Sequence, residues 1–310
     1  MSLKSAILMT TYNGEKFISE QLKSIQRQTE TNWQLYIRDD GSTDNTVPLI
    51  KEIASNDIRI KIISDENGNI GVKKGFMHLL CMVTAQFYFF ADQDDIWFPE
   101  KMSVTIKSFK LHSERHPVLV HTNLTAVDEK LNILKKQVYP TSKRIDGLNV
   151  MLSSNSVTGC TVAINNALKK KISNDPTELM IMHDWWIGLC AVTFGYVEYI
   201  PRPMILYRQH EDNQVGTDTM MRDRLKKLLA YDSEKAKINR TFKQAKNLLK
   251  VHGSDMTAHG RKMVVEYAFL LHKTHLNRML SILTFSYRKR SVMGTLSLWY
   301  AVMSQSTRSS

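Results

Sequence analysis

Three carboxylates stand within four positions of a 310-residue chain, at Asp92, Asp94 and Asp95. Packed like charges repel unless a cation sits among them. Oxygen ligands of this kind suit a hard divalent ion such as Mg²⁺, which commonly takes further ligands from substrate phosphates. The same residues also serve as an ordinary charged turn after a core strand. What must position them lies just upstream. Phe87-Tyr88-Phe89-Phe90-Ala91 is a continuous apolar, aromatic run of the kind a buried strand needs. If that strand continues, Asp92 and Asp94 point to one side of it, and Pro99 is well placed to open the next helix. Carboxylates at the carboxyl end of a buried strand lie where open α/β sheets bind ligands.

The elements before this stretch repeat one pattern. Ala6–Met9 reads as a strand running into the polar turn Thr10-Thr11-Tyr12-Asn13-Gly14. Phe17, Ile18, Leu22 and Ile25 form a helical stripe. Trp33–Ile37 is the next strand, ending in Asp39-Asp40-Gly41-Ser42, and Val47, Ile50 and Ile53 carry a second helix. Ile60–Ile63 and a helix over 72–83 follow. Strand alternating with helix predicts a parallel, doubly wound sheet with right-handed crossovers. The polar strand ends then converge on one edge. No G-x-G-x-x-G follows the first strand, which argues against a dinucleotide site.

Past Val118 the pattern shifts. Strands are expected at 118–121 and 131–134, at a Gly159-bearing stretch over 157–164, and at 196–200 and 204–207. A helix near 166–172 and an apolar helix opening at His183-Asp184-Trp185-Trp186 lie among them. The aspartate there is in the usual place for an N-cap.

Three widely spaced cysteines form neither a metal pattern nor a disulfide framework, so a reducing, cytoplasmic setting without a secretory leader is expected. The longest uncharged stretch, 291–307, falls short of the roughly 20 apolar residues that a spanning helix needs. Charge is unevenly spread. Residues 1–218 hold 24 Lys+Arg and 25 Asp+Glu, whereas 219–310 hold 18 and 5. The expected organisation is therefore a domain over 1–218, with halves 1–98 and 99–218, followed by a basic helical region over 219–310. That tail has no nucleic-acid motif. Its apolar stripes, including Leu276, Met279, Leu280, Leu283, Trp299 and Val302, need covering. Packing on the first domain and on a second copy is the expected cover, with peripheral contact between Arg288-Lys289-Arg290 and the inner face of the plasma membrane.

Together these residues resemble the inverting family 2 glycosyltransferases. The resemblance covers 5 to about 213 and rests on Thr10-Thr11-Tyr12-Asn13, Asp39-Asp40-Gly41-Ser42 and the Asp92/Asp94/Asp95 element, in the family's order and spacing. The Asp-Gln-Asp-Asp-Ile-Trp form looks most like bacterial rhamnosyl- and glucosyltransferases of surface glycans. The resemblance implies a glycosyltransferase-A type, Rossmann-like, mostly parallel α/β sheet. It implies Mn²⁺ or Mg²⁺, a UDP-hexose or dTDP-rhamnose donor, and a glycan, lipid-linked or glycoprotein acceptor. Thr10, Tyr12, Asn13, Asp40 and Asp92 would bind the nucleotide. Asp94 and His210 would hold the metal, and Asp184 would be the general base. Asp95, Gly159 and Trp185 would face the sugars. His183 departs from the acidic residue that usually precedes that base, and this is the one support for the rival reading of a non-catalytic nucleotide-sugar binder. Lys73 and Arg208 read more naturally as surface cations than as phosphate ligands.

Overall fold

The structure, a computed structural model, describes residues 4–139, 147–210 and 226–306. The chain forms two compact units. One comprises Met1–Ile145, Val157–Thr177 and Gly195–Gly216; the other comprises Asp146–Ser156, Glu178–Phe194 and Thr217–Ser310. Segments 146–156 and 178–194 are thus grouped with the tail helices.

The first unit is built on one sheet. Strands β1 (Ser5–Thr11), β2 (Trp33–Asp39), β3 (Ile60–Ile63) and β4 (Phe87–Ala91) are joined by helices α1 (Ile18–Gln26), α2 (Thr46–Ser55) and α3 (Gly71–Met82). They lie in the order β3-β2-β1-β4, all parallel. This is the arrangement that alternating strands and helices predict, because right-handed crossovers lay each helix back on the sheet. β1 and β4 are buried nearly throughout, which is why their sequences are continuous apolar runs.

Beyond β4 the pairing becomes mixed. The two-residue β5 (Ile96–Trp97) leads to helix α4 (Lys101–Phe109), then to strands β6 (Val118–Val127), β7 (Ile133–Lys135), β8 (Val162–Asn165) and β9 (Tyr196–Arg208). The sheet continues β4-β8-β6-β9-β5, with β7 on β6. β8 is antiparallel to both neighbours, whereas β6 and β9 are parallel.

Three local expectations change. Gly159 lies in a 3₁₀ turn over Gly159–Thr161, not within a strand. The two late strands are one, β9, running through Pro201 and Pro203. Neither proline can donate to a ladder, and the β6–β9 register shifts there. Asn123 on β6 bridges the gap, its amide donating to the carbonyls of Pro201 (3.1 Å) and Tyr139 (3.0 Å). The acidic stretch is a turn between β4 and β5 rather than a continuation of β4, so strand alternation does not orient Asp92 and Asp94.

The second unit holds α5 (Leu148–Met151) and α7 (His183–Phe194), whereas α6 (Asn166–Ile172) belongs to the first. Four more helices follow: α8 (Lys226–His252), α9 (Ala258–Ala268), α10 (His275–Phe285) and α11 (Val292–Met303). The Tyr267 and Tyr287 rings pack tilted, their centroids 5.0 Å apart, in its core, and the Thr241 hydroxyl meets the Tyr267 hydroxyl at 2.8 Å. Arg278 is fully buried and donates to the carbonyls of Val302 (2.8 Å), Gln305 and Ser306. A guanidinium there satisfies the orphan acceptors at the end of α11. No described helix is long and apolar enough to cross a membrane.

Candidate functional site

The site is assembled from strand-end loops that share the carboxyl edge of the parallel strands. After β1, Asn13 adopts a left-handed conformation, φ 46°. Its side-chain oxygen accepts from the Thr43 N–H (2.9 Å), and its own N–H donates to the Ser42 hydroxyl (2.9 Å). Asn tolerates this φ better than most residues, and the two bonds tie the first loop to the second. Tyr12 is half exposed, its ring available for a flat partner.

The first loop is also tied to the acidic turn. The Gln93 side chain accepts from the Tyr12 N–H (2.9 Å) and donates to the Tyr12 carbonyl (3.0 Å). Gln93 passes as a mere spacer between two aspartates in the sequence. Its partner is 81 residues away, so no local signal marks it. Gly14 permits the approach, since an added Cβ would lie 2.4 Å from the Gln93 side-chain oxygen. Gly14→Ala is therefore expected to swing Gln93 aside and loosen Tyr12. If Tyr12 binds a nucleotide-sugar as the resemblance implies, a rise of about tenfold in KM for that substrate with a change in melting of only a few degrees is the expected outcome; unchanged KM would show that the clamp does not matter.

Asp39 and Asp40 divide their work. Asp39 accepts from Thr11 (2.8 Å), from the Ser42 hydroxyl (2.6 Å) and from the Ser42 N–H (2.7 Å), closing the turn that carries Gly41 at φ 93°. Asp40 is buried. It pairs with Arg38 (2.6 Å) and accepts the Ile70 and Gly71 N–H groups (both 2.8 Å). Arg38 also pairs with Asp65 (2.8 Å) and donates to the Gly68 carbonyl (2.7 Å). The guanidinium holds the Asp65 carboxyl well below the usual carboxylate range. Asp40 thus holds the third loop against the second, a task the sequence did not reveal. Arg38→Met would strand two largely buried carboxylates, and a loss of about 3–5 kcal/mol in denaturant unfolding is expected; a loss below about 1 kcal/mol, the scale of an exposed pair, would overturn that account.

In the acidic turn, Asp94 Oδ2 and His210 Nε2 are 2.8 Å apart. The His210 ring lies 5.2 Å from that of Phe17. The structure thus brings together two residues 116 apart in sequence. Glu211-Asp212-Asn213, which follow His210, lie outside the described residues. Arg208 is not a surface cation. It is buried, donates to the Asp94 carbonyl (3.0 Å) and the Glu129 carbonyl (2.5 Å), pairs with Glu20 (2.5 Å) and lies 4.4 Å over Phe17. It braces the turn that carries Asp94. The Asp92 carbonyl is held by the Gln21 amide at 2.9 Å.

Asp95 points inward. It is fully buried, accepts from the Arg208 N–H at 3.3 Å, and shares a hydrogen bond with the Cys160 thiol. Burial, then the charges of Asp94 and Asp92, push its carboxyl up. Burial likewise pushes the Cys160 thiol up. Lys101 donates to the Cys160 carbonyl (2.8 Å) and sits 3.4 Å over the Trp97 ring, and burial pulls its ammonium down to about 7. Asp92, Asp95 and Cys160 bring three ligand atoms within 4.8 Å of one another. Of these, only Asp92 is not fully shut away in the core.

A hard divalent cation fits this chemistry at Asp94 and His210. Both side chains are partly accessible, at 17% and 10%; the carboxylate is a ligand type for Mg²⁺ or Mn²⁺, and the imidazole offers a nitrogen beside it. Burial first, and then the charges of Asp94 and Asp92, raise the Asp95 carboxyl, and a cation among these aspartates would relieve the second part.

Thr10 is the penultimate residue of β1, next to α3, where a Cβ on Gly75 would lie 2.7 Å from its methyl. Gly159 sits in the turn ahead of β8. Asp184 and Trp185 belong to the second unit. Asp184 lies in the first turn of α7, is largely buried, and accepts from the Asn155 amide (2.9 Å) and the Trp185 N–H (2.7 Å). The Trp185 indole donates to the Met151 carbonyl at 2.7 Å. Trp186 is core. His183 is buried, and desolvation pulls its imidazole down to about 3, so it is neutral at physiological pH.

The sequence profile described as Glycosyl transferase family 2 matches residues 6–170. The dTDP-rhamnosyl transferase RfbG of Shigella flexneri is 34% identical over 242 residues, covering 71% of this chain and 78% of its own length. The chain belongs to glycosyl transferase family 2. It is a glycosyltransferase, and the profile spans the parallel strands, the acidic turn and β8. A UDP-Glc:alpha-D-GlcNAc-diphosphoundecaprenol beta-1,3-glucosyltransferase, WfgD of Escherichia coli, is 36% identical over 103 residues, 33% of this chain and 39% of its own. Among solved structures, S. aureus TarS 1-349 in complex with UDP superposes with a TM-score of 0.59 at 18% identity, covering 87% of this chain and 71% of that one. Mannosyltransferase PcManGT from Pyrobaculum calidifontis, in complex with GDP-Man and Mn²⁺, gives 0.56 at 14% identity over 91% and 74%. At these identities the likeness concerns the fold, which is the glycosyltransferase-A type.

Proposed function

We propose that this family 2 transferase is a metal-dependent, inverting hexosyltransferase using a UDP- or dTDP-sugar. What supports the metal and donor reading is the 2.8 Å pairing of Asp94 with His210 on a turn clamped through Gln93 to the loop that bears Tyr12. Asp94 and His210 would hold Mn²⁺ or Mg²⁺, with Asp92 beside them. When bound, such an ion offsets the charge of a diphosphate leaving group. Thr10, Tyr12 and Asn13 would flank the base and ribose, Tyr12 by stacking. Asp40 would reach the base edge from a position that the Arg38 pair holds rigid. Asp184 would accept the proton of the acceptor hydroxyl as it attacks the anomeric carbon. The hydrogen bond from Asn155 orients that carboxylate, and neutral His183 beside it adds no competing charge. Asp95, deep in the core, serves the turn rather than a sugar, whereas Gly159 and Trp185 keep the sugar-facing roles in this proposal.

The rhamnosyl and glucosyl relatives support dTDP-rhamnose and UDP-glucose as the first donors to try. The acceptor would be a growing surface glycan, on a lipid carrier or a protein. Lipid-linked acceptors would bring a cytoplasmic enzyme to the inner face of the plasma membrane, and self-association through the tail is the other use of those helices. The test is release of nucleoside diphosphate across a panel of nucleotide sugars, with Mn²⁺ and with EDTA. Turnover of one UDP- or dTDP-sugar that EDTA abolishes is the expected result; EDTA-resistant turnover would overturn the metal, and turnover only with GDP-sugars would overturn the donor class.

A further inference from the structure

A helix that faces water ordinarily carries charge on its outer side. Two consecutive helices of the second unit do not. On α10, Leu276, Met279, Leu280 and Leu283 are 45–62% exposed, while Arg278, Ser281, Ile282 and Phe285 point inward. On α11, Val292, Met293, Leu296 and Tyr300 are 51–77% exposed, while Leu298, Ala301 and Val302 are buried. The spacing of three and four puts each set on one helical face. Neither outer face has a Lys, Arg, Asp or Glu; the one charged residue within either helix is Arg278, which is fully buried. The unit has its own core, which covers Val302 of the expected stripes but leaves Leu276, Met279, Leu280 and Leu283 exposed.

Cations dominate the charge nearby; the one acidic group that the described contacts bring to α10, Glu266, accepts from Ser281 (2.5 Å) and is paired with Lys273. From residue 267 to 310 the sequence has six Lys or Arg and no Asp or Glu. Arg288, Lys289 and Arg290 occupy the short link between α10 and α11 and are all partly exposed. The helices are held firmly enough to present their faces: Trp299 donates to the Tyr287 carbonyl (2.8 Å), Asn149 to the Ser286 carbonyl (2.9 Å) and Ser153 to the Arg288 carbonyl (2.6 Å).

We propose that the outer faces of α10 and α11, with the Arg288-Lys289-Arg290 link, form a docking surface for an anionic lipid bilayer, lying in the interface without crossing it. Apolar faces next to cations are the composition of interfacial helices, which combine burial in the acyl boundary with attraction to anionic headgroups. Neither helix exceeds 12 residues, too short to span. A second copy of this chain would bring the same positive segment to the same face, whereas anionic lipid brings the opposite charge.

The test is co-sedimentation of the full-length protein with vesicles of phosphatidylcholine alone or mixed with phosphatidylglycerol, at low and high salt. Binding to the mixed vesicles at low salt, weakened by high salt and by omitting phosphatidylglycerol, is expected. Joint replacement of Arg288, Lys289 and Arg290 by Gln should weaken it by roughly a hundredfold, from about 1 kcal/mol per cation. Leu280→Glu with Met293→Glu, both at exposed positions, should abolish it at an unchanged melting temperature. Absence of binding at low salt, or binding that both variants retain, overturns the proposal. So does a dimer, seen by light scattering, that the Glu variant dissolves while vesicles are ignored, since the face would then be a protein interface. None of these readouts depends on turnover.

Discussion

Asp94→Ala is expected to lower kcat/KM by at least about a thousandfold while the protein stays folded. The carboxylate is partly open to solvent and its side chain meets His210 at 2.8 Å. Its loss removes one of the two proposed ligands and leaves an imidazole that holds a divalent ion poorly alone. Several kcal/mol of charge stabilisation would go with the ion, and each 1.36 kcal/mol is tenfold in rate. The fold should survive, because the main-chain ties of the turn persist: Arg208 to the Asp94 carbonyl, Gln21 to the Asp92 carbonyl and Gln93 to Tyr12. The decisive measurement is nucleoside diphosphate binding by calorimetry with and without Mn²⁺. The wild type should bind more tightly with the ion, and the variant should show no such difference. A variant as active in EDTA as the wild type in Mn²⁺ would end the metal reading.

The second large effect is expected at Asp184. Asp184→Asn keeps the shape and its one amide oxygen can still accept the Trp185 N–H, while its NH2 can face Asn155 only if the Asn155 amide turns its oxygen inward; it cannot take a proton at neutral pH. A fall of about a hundredfold or more in kcat, the scale of general-base removal, is expected with donor KM nearly unchanged. Because α7 lies in the second compact unit and the residues proposed to bind the nucleotide lie in the first, the variant's donor affinity separates the two proposed roles. Near wild-type kcat at saturating acceptor would reduce Asp184 to a buried partner of the α7 N-terminus.

What was legible in the residues follows from periodicity and from local chemistry. Four apolar strand runs, each ending in polar residues and separated by helical stripes, determine a parallel sheet, because short connections and handedness leave few other foldings. The strand-end loops carrying Thr10 to Asn13, Asp39-Asp40 and Asp92 to Asp95 were visible for the same reason. Beyond residue 118 the strands are short and their pairing is non-local, so the antiparallel β8, the single long β9 and the 3₁₀ turn at Gly159 were not.

The sequence by itself determined the family, the parallel half of the sheet and the residue types proposed to meet a diphosphate. Only the tertiary structure decided which of those residues are already spoken for. It buried Asp95 against Cys160, engaged Asp40 with Arg38, drew Arg208 from the supposed surface into the turn, and set His210 beside Asp94. It also left the outer faces of α10 and α11 uncovered. The physical reason is common to all of these. Charge and polarity are properties of a residue, but their cost and use depend on burial and on partners, and the partners here lie as far as 188 residues away along the chain, as in Glu20 with Arg208.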